Sequence, residues 1–144
     1  MDKVTVIGGS GFLGSHIADE LSERGYAVTV FDRIASPWIR DNQTMLVGDM
    51  LDAELLEKAC TGSRYLYHLG GIADISEAKA KPFKAIETNV MGVTAALEAA
   101  RAVRAERFVY ASTMYVYSAA GSFYRASKQA AETIVEAYAE SFDL

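Results

Sequence analysis

Cysteine, histidine and proline are scarce in this chain. Cys60 is the single cysteine, so no disulfide can form within the chain, which is typical of a reducing cytoplasm. The two histidines, His16 and His68, lie far apart and join no cysteine cluster, so we expect no metal site. Both prolines, Pro37 and Pro82, fall where a loop or a helix start is expected.

Long hydrophobic runs and excess positive charge are absent as well. No apolar stretch approaches the roughly 18 residues of a membrane helix, and residues 1–4 lack the pattern that opens a signal peptide. The 14 Lys and Arg residues are outnumbered by 19 Asp and Glu residues, which gives a net charge of −5. This balance argues against nucleic acid or an anionic membrane as the main partner. We therefore expect a cytoplasmic protein with neither partner.

What remains is the composition of one globular domain, residues 1–144, with 51% hydrophobic and 23% charged residues. Short apolar runs alternate with longer amphipathic ones, which favours an α/β fold. We predict a doubly wound parallel sheet (a Rossmann fold) in the order 3-2-1-4-5, with helices on both faces and ligands at the carboxyl ends of the strands. The predicted strands are 4–7, 27–31, 44–47, 65–69 and 107–111, and the main predicted helices are 12–24, 52–59, 82–101 and 124–141.

A glycine-rich turn follows the first predicted strand. Residues 8–14 read GGSGFLG, in which Gly8, Gly11 and Gly14 are spaced by three, while Gly9, Gly11 and Gly14 form G-x-G-x-x-G. A tight turn, close approach of a pyrophosphate and close helix packing each require a residue without Cβ. Free N–H groups at the helix start then attract phosphate. The strand–turn–helix context therefore predicts a dinucleotide site.

Asp32 ends the second predicted strand, 18 residues after Gly14. A carboxylate in that place can accept hydrogen bonds from the adenosine ribose and repels a 2′-phosphate, which favours NAD over NADP. The neighbouring Arg33 favours NADP instead, because a guanidinium can pair with a 2′-phosphate.

Tyr124 and Lys128 are four residues apart on the last predicted helix, so they face the same way. An ammonium beside a phenol favours the phenolate, which can act as base for an alcohol or, once protonated, as acid for a ketone. An exposed pair on a solvated helix face is the alternative.

These features together resemble the extended short-chain dehydrogenase/reductase family, in its NAD-dependent epimerase/dehydratase branch, and the resemblance covers nearly the whole chain. Residues 8–14 look like the branch's GxxGxxG, and residues 31–33 look like its acidic strand end. The further similar segments are GDM at 48–50, HLGG at 68–71, NVMGVT at 89–94, STMYVY at 112–117 and YRASK at 124–128.

The resemblance implies an enzyme that transfers hydride between NAD and a nucleotide sugar. By it, Thr113 would hydrogen-bond the reacting oxygen, Tyr124 would move the proton, and Lys128 would hold the nicotinamide ribose. Each of these segments also has a purely structural alternative. Asn89 can make a structural hydrogen bond, Asp49 can be a cap, and residues 112–113 can form a turn whose side chains bond to its own backbone. The implied cofactor-binding residues are Gly8, Gly11, Phe12, Leu13, Gly14, Asp32, Arg33, Asp49, Met50, Leu69, Gly70, Gly71, Asn89, Tyr124 and Lys128.

Two departures from the family pattern bear on function. The family continues into a C-terminal substrate domain, which the sequence up to Leu144 does not include, and only six residues separate Tyr117 from Tyr124 where the family has a longer connection. A short connection can pull Tyr124 out of line with Thr113, and displacement by about 1 Å lowers rates about a hundredfold. Either residues lie outside this sequence or the chain is a truncated cofactor-binding module.

Three other functions stay open: a non-catalytic NAD(P) sensor, a reductase of a non-sugar ketone, and a structural module in a larger assembly. Members of the branch often form homodimers through two long helices. The small residues around Ala95, Ala96, Leu97 and Ala99 permit such packing, but they can equally face the sheet.

Overall fold

The computed structural model describes residues 1–142 and 144. The predicted sheet is confirmed: five parallel strands lie in the order β3-β2-β1-β4-β5. The central strand pairs Ile7 with Phe31 on one side and with His68 on the other. The carboxyl ends of three strands therefore meet at one edge of the sheet. The strands are β1 (Lys3–Ile7), β2 (Ala27–Asp32), β3 (Gln43–Val47), β4 (Ser63–His68) and β5 (Arg107–Tyr110).

Within the described part of the chain, six α-helices connect and cover these strands. The first ends as predicted before Gly25, whose φ of +87° suits the residue after a helix. The second is capped by Asp52, which accepts a hydrogen bond from the Leu55 N–H. The helices are α1 (Phe12–Glu23), α2 (Ala53–Cys60), α3 (Ile75–Ala80), α4 (Pro82–Ile86), α5 (Gly92–Ala102) and α6 (Ser122–Phe142).

The two faces of the sheet are covered unequally. On one face, residues of α2 and α5 pack with Ile7, Phe31 and Leu66 in the largest buried cluster. On the other face, the helical residues of the buried cluster all come from α1, beside β1 and β2. Tyr65 and Tyr67 of β4 stay only partly buried there. The expected cover on both faces is therefore incomplete over β4 in the described residues.

The predicted helix from Pro82 to about Arg101 is interrupted. It begins at Pro82 as expected, but Glu87–Met91 form a π-helical turn between α4 and α5. Sequence analysis also missed α3, capped by Asp74, and a 3₁₀ turn at Met114–Tyr117. Elements this short bury few side chains, so they leave little hydrophobic periodicity in a sequence.

The small residues of α5 are used inside the chain. Ala96, Leu97 and Ala99 are buried in its own core, and Ala95 packs against that core. Of the two roles left open for them, the structure shows packing within the chain, against the sheet and, for Leu97, against Ala131 of α6.

Candidate active site

A cleft of about 470 Å³ lies at the carboxyl ends of the strands, where the topology predicts a ligand. Its walls come from the turn after β1, the end of β2, the segments after β3 and β4, and one face of α6. Fourteen of the predicted site residues line it: Gly8, Gly11, Phe12, Leu13, Gly14, Asp32, Arg33, Asp49, Met50, Leu69, Gly70, Gly71, Tyr124 and Lys128.

The glycine turn is shaped by close backbone contacts. Gly8 has a φ of +80°, and a Cβ there would lie 2.4 Å from the Gly70 N. A Cβ on Gly14 would lie 2.3 Å from the Gly8 carbonyl oxygen. Gly11 differs, because its Cβ would meet only that oxygen, at 3.6 Å. The turn thus needs glycine at residues 8 and 14 for packing and leaves open space at residue 11.

Gly11 is also the N-cap of α1, and no side chain of the described residues caps the first N–H groups of that helix. Such groups are free to bind an anion, and the helix dipole favours negative charge there. The turn therefore fits the pyrophosphate of a dinucleotide.

The Asp32 carboxylate is oriented by backbone N–H groups. One of its oxygens accepts from the Ser10 N–H at 3.0 Å and the other from the Ile34 N–H at 3.4 Å. The Ser10 hydroxyl in turn donates to the Ile34 carbonyl at 2.7 Å. The carboxylate is thereby fixed at the cleft beside the glycine turn, where it can accept hydrogen bonds from a ribose.

Met50 lines the cleft and packs closely against two glycines. Its side chain lies so close to two glycines that a Cβ on Gly92 would meet the Met50 Cε at 2.5 Å, and one on Gly70 would meet the Met50 Sδ at 3.2 Å. The neighbouring Asp49 uses one carboxylate oxygen to accept from the Leu51 N–H at 3.0 Å. Met50 thus packs the segment after β3 against the segment after β4 and against α5.

Tyr124 and Lys128 lie on the cleft face of α6. The Lys128 Nζ donates to the Ala111 carbonyl at 2.6 Å and lies 4.3 Å from the centre of the Tyr110 ring. Burial lowers the pKa of Lys128 to about 8. Tyr124 is partly buried against the small cluster of Ile72, Ala78 and Ala85. Both side chains are therefore held by packing on the wall of the cleft.

Asn89, predicted to bind the cofactor, does not line the cleft. It is buried, accepts from the Ile72 N–H at 2.7 Å, and donates to the Ile72 carbonyl at 3.0 Å and to the Ser127 hydroxyl at 2.9 Å. Ser127 donates to the Tyr124 carbonyl at 2.8 Å. These contacts match the structural alternative, since Asn89 ties α6 to the segment after β4.

Thr113, the predicted catalytic hydroxyl, is also not among the residues that line the cleft. Its Oγ1 accepts from the Tyr115 N–H at 3.3 Å and caps the 3₁₀ turn. The neighbouring Ser112 lines the cleft instead. Neighbouring residues of an extended chain point to opposite sides, so the motif alone does not show which hydroxyl faces the ligand.

The cleft residues that sequence analysis missed include two polar ones, Lys84 and Thr88. The Lys84 ammonium pairs with the Glu87 carboxylate at 2.7 Å. No motif marks Lys84, since a charged residue in the first turns of a helix is ordinary. Thr88 reaches the cleft from the π-helical turn, which the sequence pattern did not reveal.

The start of the short connection before α6 is held by two side chains of that helix. The Arg125 guanidinium donates to the Ser118 carbonyl at 2.8 Å, and the Gln129 amide donates to the Val116 carbonyl at 2.9 Å. Gly121 and Ser122 take φ values of +103° and +47° where α6 begins. The chain thereby turns sharply enough to bring Tyr124 to the cleft despite the few residues available.

This arrangement has counterparts among known proteins. The chain matches the NAD dependent epimerase/dehydratase family over residues 4–144. It belongs to that family.

Individual relatives differ in their activities. The chain is 31% identical to a 3-beta-hydroxysteroid dehydrogenase of Mycolicibacterium neoaurum over 78% of its own length and 32% of that protein. It is 29% identical to a UDP-glucose 4-epimerase of Klebsiella pneumoniae over 80% of its own length and 91% of that protein.

Among solved structures, the UDP-glucose 4-epimerase of Brucella ovis in complex with NAD is 26% identical with a TM-score of 0.92, over 100% of this chain and 50% of that one. The chain thus spans about a third of the steroid dehydrogenase and half of the Brucella epimerase.

Two further findings concern the described residues. No group of three or more His, Cys, Asp or Glu side chains among them is arranged to hold a metal ion. No helix within residues 1–142 combines the length and hydropathy needed to cross a membrane.

Proposed function

We propose that this chain binds NAD and supplies the acid–base residues of an enzyme that oxidises and reduces a hydroxyl-bearing carbon of a nucleotide sugar. The observation that carries the proposal is the shared cleft: Asp32 and the glycine turn line the same cavity as Tyr124 and Lys128. One part of the cavity fits the adenosine and pyrophosphate, and the other places an acid–base pair at the reacting end.

Each residue has a distinct task in this proposal. Asp32 accepts hydrogen bonds from the adenosine ribose and disfavours a 2′-phosphate, so NAD is the cofactor rather than NADP. The N–H groups at the start of α1 hold the pyrophosphate. When bound, the nicotinamide supplies the hydride acceptor and donor.

Tyr124 takes the hydroxyl proton when the alcohol is oxidised and returns a proton when the ketone is reduced. The Lys128 ammonium lies one helical turn away and stabilises negative charge on the phenol oxygen. Among the described residues the Thr113 Oγ1 only accepts, from the Tyr115 N–H, so its hydroxyl proton is available to a ligand. Thr113 therefore remains the proposed donor to the reacting oxygen, although its neighbour Ser112 is the hydroxyl that lines the cleft.

The substrate class is the part of the proposal supported by relatives. The epimerase of Klebsiella pneumoniae is named for UDP-glucose, which supports a nucleotide sugar. The steroid dehydrogenase of Mycolicibacterium neoaurum is named for a hydroxysteroid, which favours a non-sugar alcohol as the second candidate. Comparing the turnover of UDP-glucose with that of a hydroxysteroid decides between these two substrate classes.

The experiment that tests the proposal compares the wild type with Tyr124→Phe. We expect both proteins to bind NADH, measured by nicotinamide fluorescence, and the variant to lose at least about a hundredfold in turnover of UDP-glucose. The Tyr117→Phe variant, at an exposed position outside the cleft, is the control. NADH binding without turnover in the wild type would support a sensor or a truncated cofactor-binding module, and absence of NADH binding would support a structural module.

A further inference from the structure

Ser112 and Glu132 form a contact that the proposed roles of Tyr124 and Lys128 do not use. Ser112 lies on the cleft wall just beyond β5, and its hydroxyl donates to a Glu132 carboxylate oxygen at 2.5 Å. Glu132 follows Lys128 by one turn of α6 and Tyr124 by two, so the three share one helix face. The contact therefore joins the strand end to the helix at the reacting end of the cleft.

The direction of this hydrogen bond determines what Ser112 can offer a ligand. A serine hydroxyl has one proton and two lone pairs, whereas an ionised carboxylate only accepts. Because the Ser112 proton points to Glu132, its lone pairs remain for a donor in the cleft. Thr113 is arranged in the opposite sense, since its Oγ1 accepts from the Tyr115 N–H and its proton stays available. Ser112 can therefore accept a hydrogen bond from a ligand, whereas Thr113 can donate one.

We propose that Glu132 is a positioning residue that fixes the Ser112 hydroxyl as a hydrogen-bond acceptor for a ligand hydroxyl. This inference rests on the proposed function, because that hydroxyl belongs either to the cofactor ribose or to the alcohol substrate. A ligand carbonyl cannot use Ser112 while Glu132 holds its proton.

Glu132 also acts on Lys128 through its charge. Burial lowers the pKa of Lys128, and the negative charge of Glu132 opposes that shift. The same carboxylate therefore sets the direction of the Ser112 hydroxyl and helps to keep the neighbouring ammonium charged.

The first test is a double-mutant cycle of Ser112→Ala and Glu132→Ala, with NADH affinity and UDP-glucose turnover as the two measurements. We expect each single variant to lose about tenfold in one of them, and the double variant to lose no more than Glu132→Ala alone, since Ser112 depends on Glu132 for its orientation. A fall in NADH affinity assigns the hydroxyl to the cofactor ribose, and a fall in turnover alone assigns it to the substrate. The Glu136→Ala variant, at an exposed position one turn further on, should match the wild type. Additive losses, or none, overturn the proposal.

The second test needs neither cofactor binding nor turnover. In Glu132→Gln the amide oxygen can still accept from Ser112, but the charge is lost. We expect the titration midpoint of Lys128, followed by NMR of its side chain, to fall in this variant and to stay unchanged in Glu136→Gln. A Lys128 midpoint that does not move in Glu132→Gln contradicts the proposed placement of the Glu132 carboxylate beside Ser112 and Lys128. A chain that turns over no substrate contradicts the proposed function but leaves this measurement valid.

Discussion

Lys128 and Ala111 are joined at the wall of the cleft, because the Lys128 Nζ donates a hydrogen bond to the Ala111 carbonyl oxygen at 2.6 Å. The same ammonium lies over the Tyr110 ring, and its pKa falls to about 8 through burial. The end of β5 thus fixes the position of the charge on α6 without a ligand. Because the lysine side chain is already held in place, less side-chain entropy is lost when a ligand binds.

The low pKa of Lys128 predicts a pH dependence of stability. The folded value is about 8, and the unfolded value is the ordinary 10.5. Between them the unfolded chain binds more protons, so this group makes the free energy of unfolding rise with pH over that window. We expect the wild type to gain on the order of 1 kcal/mol relative to Lys128→Met between pH 7.5 and 9.5. Urea unfolding of both proteins at the two pH values measures it, and parallel pH profiles would contradict it.

Asp32 provides a prediction about cofactor choice. In Asp32→Asn the amide oxygen can keep the hydrogen bond from the Ser10 N–H, now 3.0 Å long, while the charge is removed. We expect NADH affinity to fall about tenfold, because hydrogen bonds to a charged group contribute about 1.5–3 kcal/mol. NADPH affinity should fall less or rise, since Arg33 remains and the repulsion is gone. Fluorescence titration with both cofactors measures the ratio, and Asp41→Asn, at an exposed loop position, is the control.

The sheet and the glycine turn could be predicted because their causes are local in the sequence. Alternating strands and helices restrict the topology to a few orders, and the glycine spacing reflects contacts such as that of Gly14 with the Gly8 carbonyl. The Tyr124 and Lys128 pair was predictable for the same reason, since a helix places residues four apart on one side.

Other parts of the cleft depend on contacts between distant segments. That Asn89 binds Ile72 and Ser127 rather than facing the cleft follows from how α6 packs, which no single segment encodes. The π-helical turn at Glu87–Met91 has the composition of an ordinary helix, so the sequence predicted a regular one. The partnership of Ser112 with Glu132 spans 20 residues and appears only once β5 and α6 are placed together.

Replacing Gly14 and Gly11 by alanine should have different effects, one on stability and the other on NADH affinity. In Gly14→Ala the Cβ would lie 2.3 Å from the Gly8 carbonyl oxygen, so backbone must move, and we expect a loss of about 1–3 kcal/mol in the free energy of unfolding. In Gly11→Ala the same atom meets only ordinary contact, so stability should change by less than about 1 kcal/mol. The Gly11 variant should instead lose NADH affinity, because its methyl enters the space for phosphate. Urea unfolding and NADH titration of both variants separate the two effects.

His68 predicts how the protein responds to acid. It is fully buried, neither ring nitrogen has a hydrogen-bond partner among the described residues, and its ring stacks on Phe108 and Tyr110 at 6.0 Å. Burial lowers its pKa from the ordinary 6.5 to about 3. Below pH 6.5 the unfolded chain therefore binds the extra proton first, and this group makes stability fall as pH falls.

We expect the wild type to lose about 2 kcal/mol more than His68→Phe between pH 7 and pH 5. A phenyl ring fills the same space, has no unpaired nitrogen and does not titrate, so this contribution disappears in the variant. The exposed His16 gives the matched control, and His16→Phe should keep the wild-type slope. Urea unfolding at the two pH values is the measurement. Equal slopes in the wild type and His68→Phe would mean that the buried ring gains its proton without unfolding, so that water or a moving side chain reaches it between Phe108 and Tyr110.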